Sequence, residues 1–144
     1  MKKVNFLVGN SKFSLTPFEP FSNDVCNFLS TLSNEINSLK NIKNYPDLKS
    51  LSFWCRSKNI LKLKKNFHSN KTRLGLGLIF HITPANIPTN FAYSLIFGLL
   101  TGNSNIVKVP SNKFDQIEII CFLIKKILRK KKKFFRKKNY HCEI

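Results

Sequence analysis

Apolar positions along the chain fall into helical and strand-like rhythms. Val25, Phe28, Leu29, Leu32, Ile36 and Leu39 recur at i, i+3, i+4, i+7, i+11 and i+14, which is one apolar stripe of a helix. Ser22 is placed as its N-cap, and Asp24 lies near the positive helix end. Residues 44–47 (Asn-Tyr-Pro-Asp) restart a helix, since proline is tolerated in a first turn. In that helix Leu48, Leu51, Trp54 and Cys55 point inward, while Arg56, Lys58, Lys62, Lys64 and Lys65 make the polar side basic. The ordinary explanation of that basic side is a solvated face. Upstream, VNFLV at 4–8 predicts a short strand ending at Gly9-Asn10, and Pro17 and Pro20 punctuate a loop.

After a polar turn at 66–73, LGLGLIFHI (74–82) predicts a strand. Its nearly continuous apolar character predicts burial on both faces, as in a parallel sheet. Gly75 and Gly77 imply a bend or the close approach of another backbone. A buried helix is predicted from Ile87 to Thr101, closed by Gly102-Asn103. SNIVKV (104–109) reads as a second strand. Ile117, Ile120, Cys121, Ile124 and Leu128 then mark a helix running into a lysine block. Residues 74–128 therefore alternate strand, helix, strand, helix. That order predicts an α/β fold with parallel strands and right-handed crossovers. Ligands of such sheets bind beyond the carboxyl ends of the strands. The loops there are Thr83–Pro88 and Pro110–Lys113.

The length of 144 residues suits one domain, and 42% hydrophobic residues with 14 Phe exclude wholesale disorder. Four cysteines at 26, 55, 121 and 142 form no CxxC pair, which argues against a disulfide framework and a zinc finger. Unpaired thiols and the lack of a signal-peptide pattern predict a cytoplasmic protein. The longest apolar stretch, 87–100, is shorter than a bilayer span of about 20 residues and holds Pro88, Asn90 and Ser94, so no integral membrane segment is predicted. The net charge of +18 is uneven. Half of it lies in residues 125–144, where ten basic residues face Glu143 alone. Residues 1–124 and the lysine-rich 125–144 are thus read as separate units. Lysine runs and the abundance of Lys, Asn, Phe and Ile also reflect A- and T-rich codons, in which a frameshift arises easily.

HITPANIPTNFAYSLIFGLLTGNSNIVKVPS (81–111) and PDLKSLSFWCRSKNI (46–60) resemble the amino-terminal part of the aldehyde dehydrogenase superfamily. More closely, they resemble the acyl-CoA reductases that supply aldehyde in bacterial luminescence (the LuxC type). The resemblance is strong over about 46–124, extends more weakly over 20–45 and is absent after about 128. It implies an incomplete Rossmann-like, aldehyde dehydrogenase-type cofactor-binding domain preceded by helices. It also implies NADP-dependent reduction of a fatty acyl group, delivered by acyl-CoA or an acyl-protein, to an aldehyde through a cysteine thioester. Asn86, in Pro84-Ala85-Asn86, then matches the amide that stabilises the oxyanion. Lys108 matches the lysine that meets the adenosine ribose or its 2′-phosphate. Ser111, Thr83 and Pro84 are further cofactor-contact candidates. Val109 stands between Lys108 and Pro110, where the superfamily commonly has proline directly after the lysine.

Plainer readings stand beside these. Asn86 is explained by an N-cap, Lys108 by solvation, and His81 by a hydrogen bond in the core. Cys26, Cys55 and Cys121 read as buried thiols, and His141 and Cys142 are neighbours in sequence, which rarely share the geometry a nucleophile needs. The family's catalytic cysteine and later glycine-rich loop lie outside these residues. The expectation is an amino-terminal fragment, inactive alone, whose carboxy-terminal part is lost by frameshift or encoded separately. The competing reading is a small basic protein whose tail binds nucleic acid or other polyanions, or an anionic membrane, with Phe134 and Phe135 among the cations.

Overall fold

A computed structural model describes residues 5–9, 15–67 and 71–135. The elements run α1 (Asn23–Asn37), a short 3-10 turn (Ile42–Asn44), α2 (Pro46–Trp54), α3 (Ser57–Phe67), β1 (Leu78–Ile82), α4 (Asn90–Leu100), β2 (Ser104–Lys108) and α5 (Asp115–Phe135). The predicted stripe of α1 is its buried face: Val25, Phe28, Leu29, Leu32 and Ile36 are all buried. Ser22 has the extended backbone of an N-cap, with φ −55° and ψ 148°, but its side chain makes no capping bond. Helix α1 lies centrally, touching α2, α3, α4 and α5. The core consists of helical side chains such as Leu48, Leu51, Ile60, Leu99 and Ile120, together with Phe21 and Cys55. No residue of either strand is among the fully buried hydrophobics.

The stretch after Pro46 forms two helices rather than one. Helix α2 closes at Trp54, and Asn59 Nδ2 donates to the Phe53 carbonyl at 2.6 Å. That bond replaces a partner the carbonyl would have in a continued helix. Trp54 lies off the face that buries Leu48, Leu51 and Ser52, so it points outward at 44% exposure, against the inward expectation, and its ring meets Phe97 edge-on at 6.3 Å. No strand forms at residues 5–9, which run as bends; residue 4 lies outside the described residues.

Strands β1 and β2 are parallel, with Leu78 opposite Ser104 and Ile82 opposite Lys108. The pair makes a small α/β unit with α4, which contacts both strands. Strand β1 is shorter than predicted. Gly77, at φ +106°, ends the preceding segment in a conformation that side chains disfavour. Gly75 shows the anticipated close approach, because a Cβ there would collide with the Gly102 carbonyl. Helix α4 ends as predicted. Gly102 has φ +84°, its N–H bonds Leu99, and the Asn103 N–H bonds Gly98 at 3.0 Å, a Schellman arrangement.

Burial on both faces of β1 is not seen. Helix α4 covers Ile79 and His81, while Leu78, Phe80 and Ile82 on the other face are exposed, continuing a stripe begun by Leu74 and Leu76. The apolar composition matches a strand covered twice; the described residues cover it once. Helix α5 runs unbroken across residue 125, with Ile127 buried and Lys126 and Lys130 both bonded to Glu35.

Candidate active-site rim

Parallel pairing fixes where the two strands end together. Ile82 closes β1 and Lys108 closes β2, and the two are register partners. The loops that follow therefore leave from one rim. Two side-chain bonds tie them. Thr83 Oγ1 donates to the Lys108 carbonyl at 2.8 Å, and Asn112 Nδ2 donates to the Ala85 carbonyl at 3.2 Å. Short parallel strands have slanted, weaker ladders, and these bonds extend the pairing past their ends.

Asn86 is exposed in a turn after Pro84, which is exposed too. The N-cap reading of Asn86 does not hold. Helix α4 begins at Asn90 with Thr89 at the cap position, later than the predicted Ile87. Residues before a proline avoid helical backbone, so Ile87 before Pro88 is a poor helix start. The Lys108 side chain is exposed at the strand end, and Ser111 is exposed in the bend beyond Pro110. The rim thus gathers Thr83, Pro84, Asn86, Lys108 and Ser111 within two linked loops. The Thr83 hydroxyl is committed to the backbone.

Behind the rim, a polar network holds α4 against the sheet. His81 Nε2 and Asn105 Oδ1 are 2.8 Å apart, and Asn105 Nδ2 donates to the Asn103 carbonyl at 2.7 Å. Since the Asn105 oxygen accepts, His81 donates there, which fits the predicted satisfied histidine. Asn105 lies directly against Gly98, where any side chain would displace it. Asn103, 3% exposed, bonds the Leu76 amide through its oxygen and the Gly98 carbonyl and Thr101 hydroxyl through its nitrogen. A groove of about 460 Å³ lies between β1 and α4, lined by residues including Ile79, His81, Tyr93, Ser94 and Phe97. Asn103, Asn105 and Asn112 were not legible as site-building residues. An asparagine beside a strand carries no periodic signal, and only the folded backbone shows what its amide reaches.

The thiols are poor nucleophiles. Burial pushes Cys55 up to about 12. Burial also raises Cys121, opposed in part by Lys125, and raises Cys26, opposed by Lys64 and a backbone hydrogen bond. A thiol held protonated neither attacks an acyl group nor binds metal well. Cys142 lies outside the described residues. Among the described residues no cluster of His, Cys, Asp and Glu could hold a metal ion, and no helix is long and apolar enough to cross a membrane.

These features define an α/β protein with its polar loops collected at the carboxyl rim of a parallel strand pair. Among models of known families, Acyl-CoA reductase (LuxC) matches residues 31–133, and the chain belongs to that family. The match extends past Leu128, where the residue-level resemblance fades, and takes in most of α5. No match was found among the curated proteins or among the solved structures.

Proposed function

We propose that this chain contributes the rim of a Rossmann-like, aldehyde dehydrogenase-type cofactor domain to an NADP-dependent reductase that converts a fatty acyl thioester to an aldehyde. The observation that carries this reading is the shared rim: Asn86 and Lys108 leave the same ends of two parallel strands, and their loops are bonded together. The family membership supports an oxidoreductase acting on acyl groups.

The residues present fit the adenosine end of NADP. An exposed ammonium at Lys108 and an exposed hydroxyl at Ser111 suit a ribose bearing a 2′-phosphate. The bound cofactor supplies hydride. This chain's own residues bind, orient and donate. Lys108 anchors the anionic end of the cofactor, while Thr83 and Pro84 shape the loop beside it. The Asn86 amide N–H donates to the oxygen that becomes negative as the acyl carbon turns tetrahedral. A pre-placed donor of that kind is worth about 10²–10³ in rate. The acyl-accepting thiol is not Cys26, Cys55 or Cys121, whose burial holds them protonated. By the family resemblance that thiol belongs to the reductase's later catalytic part, and the chain alone is expected to form no aldehyde from acyl-CoA.

Titration of the chain with NADP⁺ and NAD⁺ tests the reading. Lys108→Ala is expected to weaken NADP⁺ binding by about tenfold or more, the worth of a charged hydrogen bond, and NAD⁺ binding less. Equal affinities of native chain and variant for NADP⁺ would remove Lys108 from the cofactor site. Aldehyde formation by the purified chain would place a competent thiol within it.

A further inference from the structure

We infer that the corner between α2 and α3 is a docking surface for an anionic lipid bilayer. The sequence holds no Asp or Glu between Asp47 and Asp115, and α3 falls inside that span. Within α3 the buried residue is Ile60, so the helix has a definite outer side. Lys58, Leu61, Lys62 and Lys65 occupy that side at i, i+3, i+4 and i+7, and all four are exposed. Leu61, 57% exposed, stands among the lysines instead of among the core residues. At the start of α3 the chain turns through Phe53 and Trp54, exposed by 52% and 44%. Arg56 stacks its guanidinium over the Phe53 ring at 5.2 Å.

Charge complementarity selects the occupant. A convex helix side with several cations and no acid suits a surface of like-signed headgroups, each basic residue adding to the attraction. An exposed aliphatic side chain on a lysine-bearing helix side, with two exposed aromatics just before the helix in sequence, matches the apolar and cationic demands of the headgroup boundary. A nucleic acid would take the lysines and stack on the aromatics but has no use for Leu61, which cannot stack on a base, so Leu61 is what separates the two occupants. The inference rests on α2 and α3 alone and does not require the reductase reading or the lysine-rich residues after 130.

Trp54 is the sole tryptophan of the chain and lies at this corner, so its emission reports contact there. The experiment titrates the full chain with vesicles of phosphatidylcholine alone and of phosphatidylcholine with phosphatidylserine, reading cosedimentation and Trp54 emission. The expected result is binding to the anionic vesicles with a blue shift of Trp54. Combined Lys58→Gln, Lys62→Gln and Lys65→Gln is expected to weaken that binding by roughly a hundredfold. Leu61→Ser, with the charges kept, is expected to weaken it as well. A variant lacking the same number of exposed cations elsewhere, Lys40→Gln with Lys43→Gln and Lys113→Gln, is expected to bind more tightly than the α3 variant. All the substituted side chains are exposed, so unchanged melting curves certify the fold. Binding with no change in Trp54 emission, or equal losses in the two lysine variants, would show bulk attraction through net charge and overturn the inference. Displacement from vesicles by duplex DNA, with Leu61→Ser leaving DNA affinity unchanged and vesicle affinity also unchanged, would overturn it in favour of a nucleic-acid surface.

Discussion

Burial decides what the cysteines can do. Cys55 is fully buried behind the α2–α3 break, and desolvation lifts its thiol to about 12. Only the thiolate reacts with an alkylating reagent, so at pH 8 its native reactivity is low and further reduced by lack of access. Brief iodoacetamide treatment followed by mass spectrometry is expected to label half-buried Cys26 ahead of Cys55. Cys55 labels at an ordinary rate only after unfolding by denaturant. Early labelling of Cys55 would contradict its burial. The inert thiols were legible in the sequence from their places on apolar helix faces. Trp54 was not. One residue of helical phase separates inward from outward, and the Asn59 bond that breaks the helix spans six residues that periodicity treats as continuous. Asn86 shows the same limit. The spacing before Pro88 suits a cap, whereas the backbone delays the helix to Asn90 and leaves the amide in a turn.

At the scale of elements, α5 is joined to α1 through Glu35. The hydrogen bonds from Lys126 and then Lys130 hold its carboxyl below the ordinary range. A carboxylate depressed by folding stabilises the native state above its unfolded value of about 4.3, and that contribution is lost as pH falls through the lower folded value. Melting temperature is therefore expected to drop more steeply between neutral pH and pH 3 in the native chain than in Glu35→Gln. At neutral pH that substitution costs about 1 kcal/mol or less, because lysines exposed at the helix surface are well screened, and 1 M salt reduces the difference. A variant whose pH profile superimposes on the native one would show the contact to be inconsequential. The helix itself was legible from Ile117 to Leu128, because its apolar stripe is periodic. The bonding of its lysines to α1 was not, since a block of lysines looks like a tail when its acidic partner lies about ninety residues earlier.

Across the whole molecule, α4 covers one side of the strand pair and leaves Leu78, Phe80 and Ile82 exposed on the other. Phe80 and Ile82 are 59% and 75% exposed, and Leu76 beside them is 90% exposed. A contiguous apolar stripe beside open strand edges favours association. Sedimentation of the chain is expected to show concentration-dependent self-association. Phe80→Ser with Ile82→Ser is expected to reduce it, with little change in melting temperature because neither side chain joins the core. Undiminished association in that variant would place the contact elsewhere. The α/β order of residues 74–128 was plain in the sequence, as were Gly75, Gly77 and Gly102 at special backbone positions. The number of layers over the sheet was not. An apolar strand specifies that it suits cover on both faces, and the cover itself must come from other residues.

The strands supply none of the fully buried side chains, and they meet α4 through half-buried residues such as Ile79, His81, Asn105 and Val107. Local opening in a protein is cheapest where few apolar contacts must be broken. Backbone amide exchange is therefore expected to be faster in the strand pair and its two loops than in the helices around α1. Whatever docks at the rim would then meet a segment that yields before the rest of the molecule does.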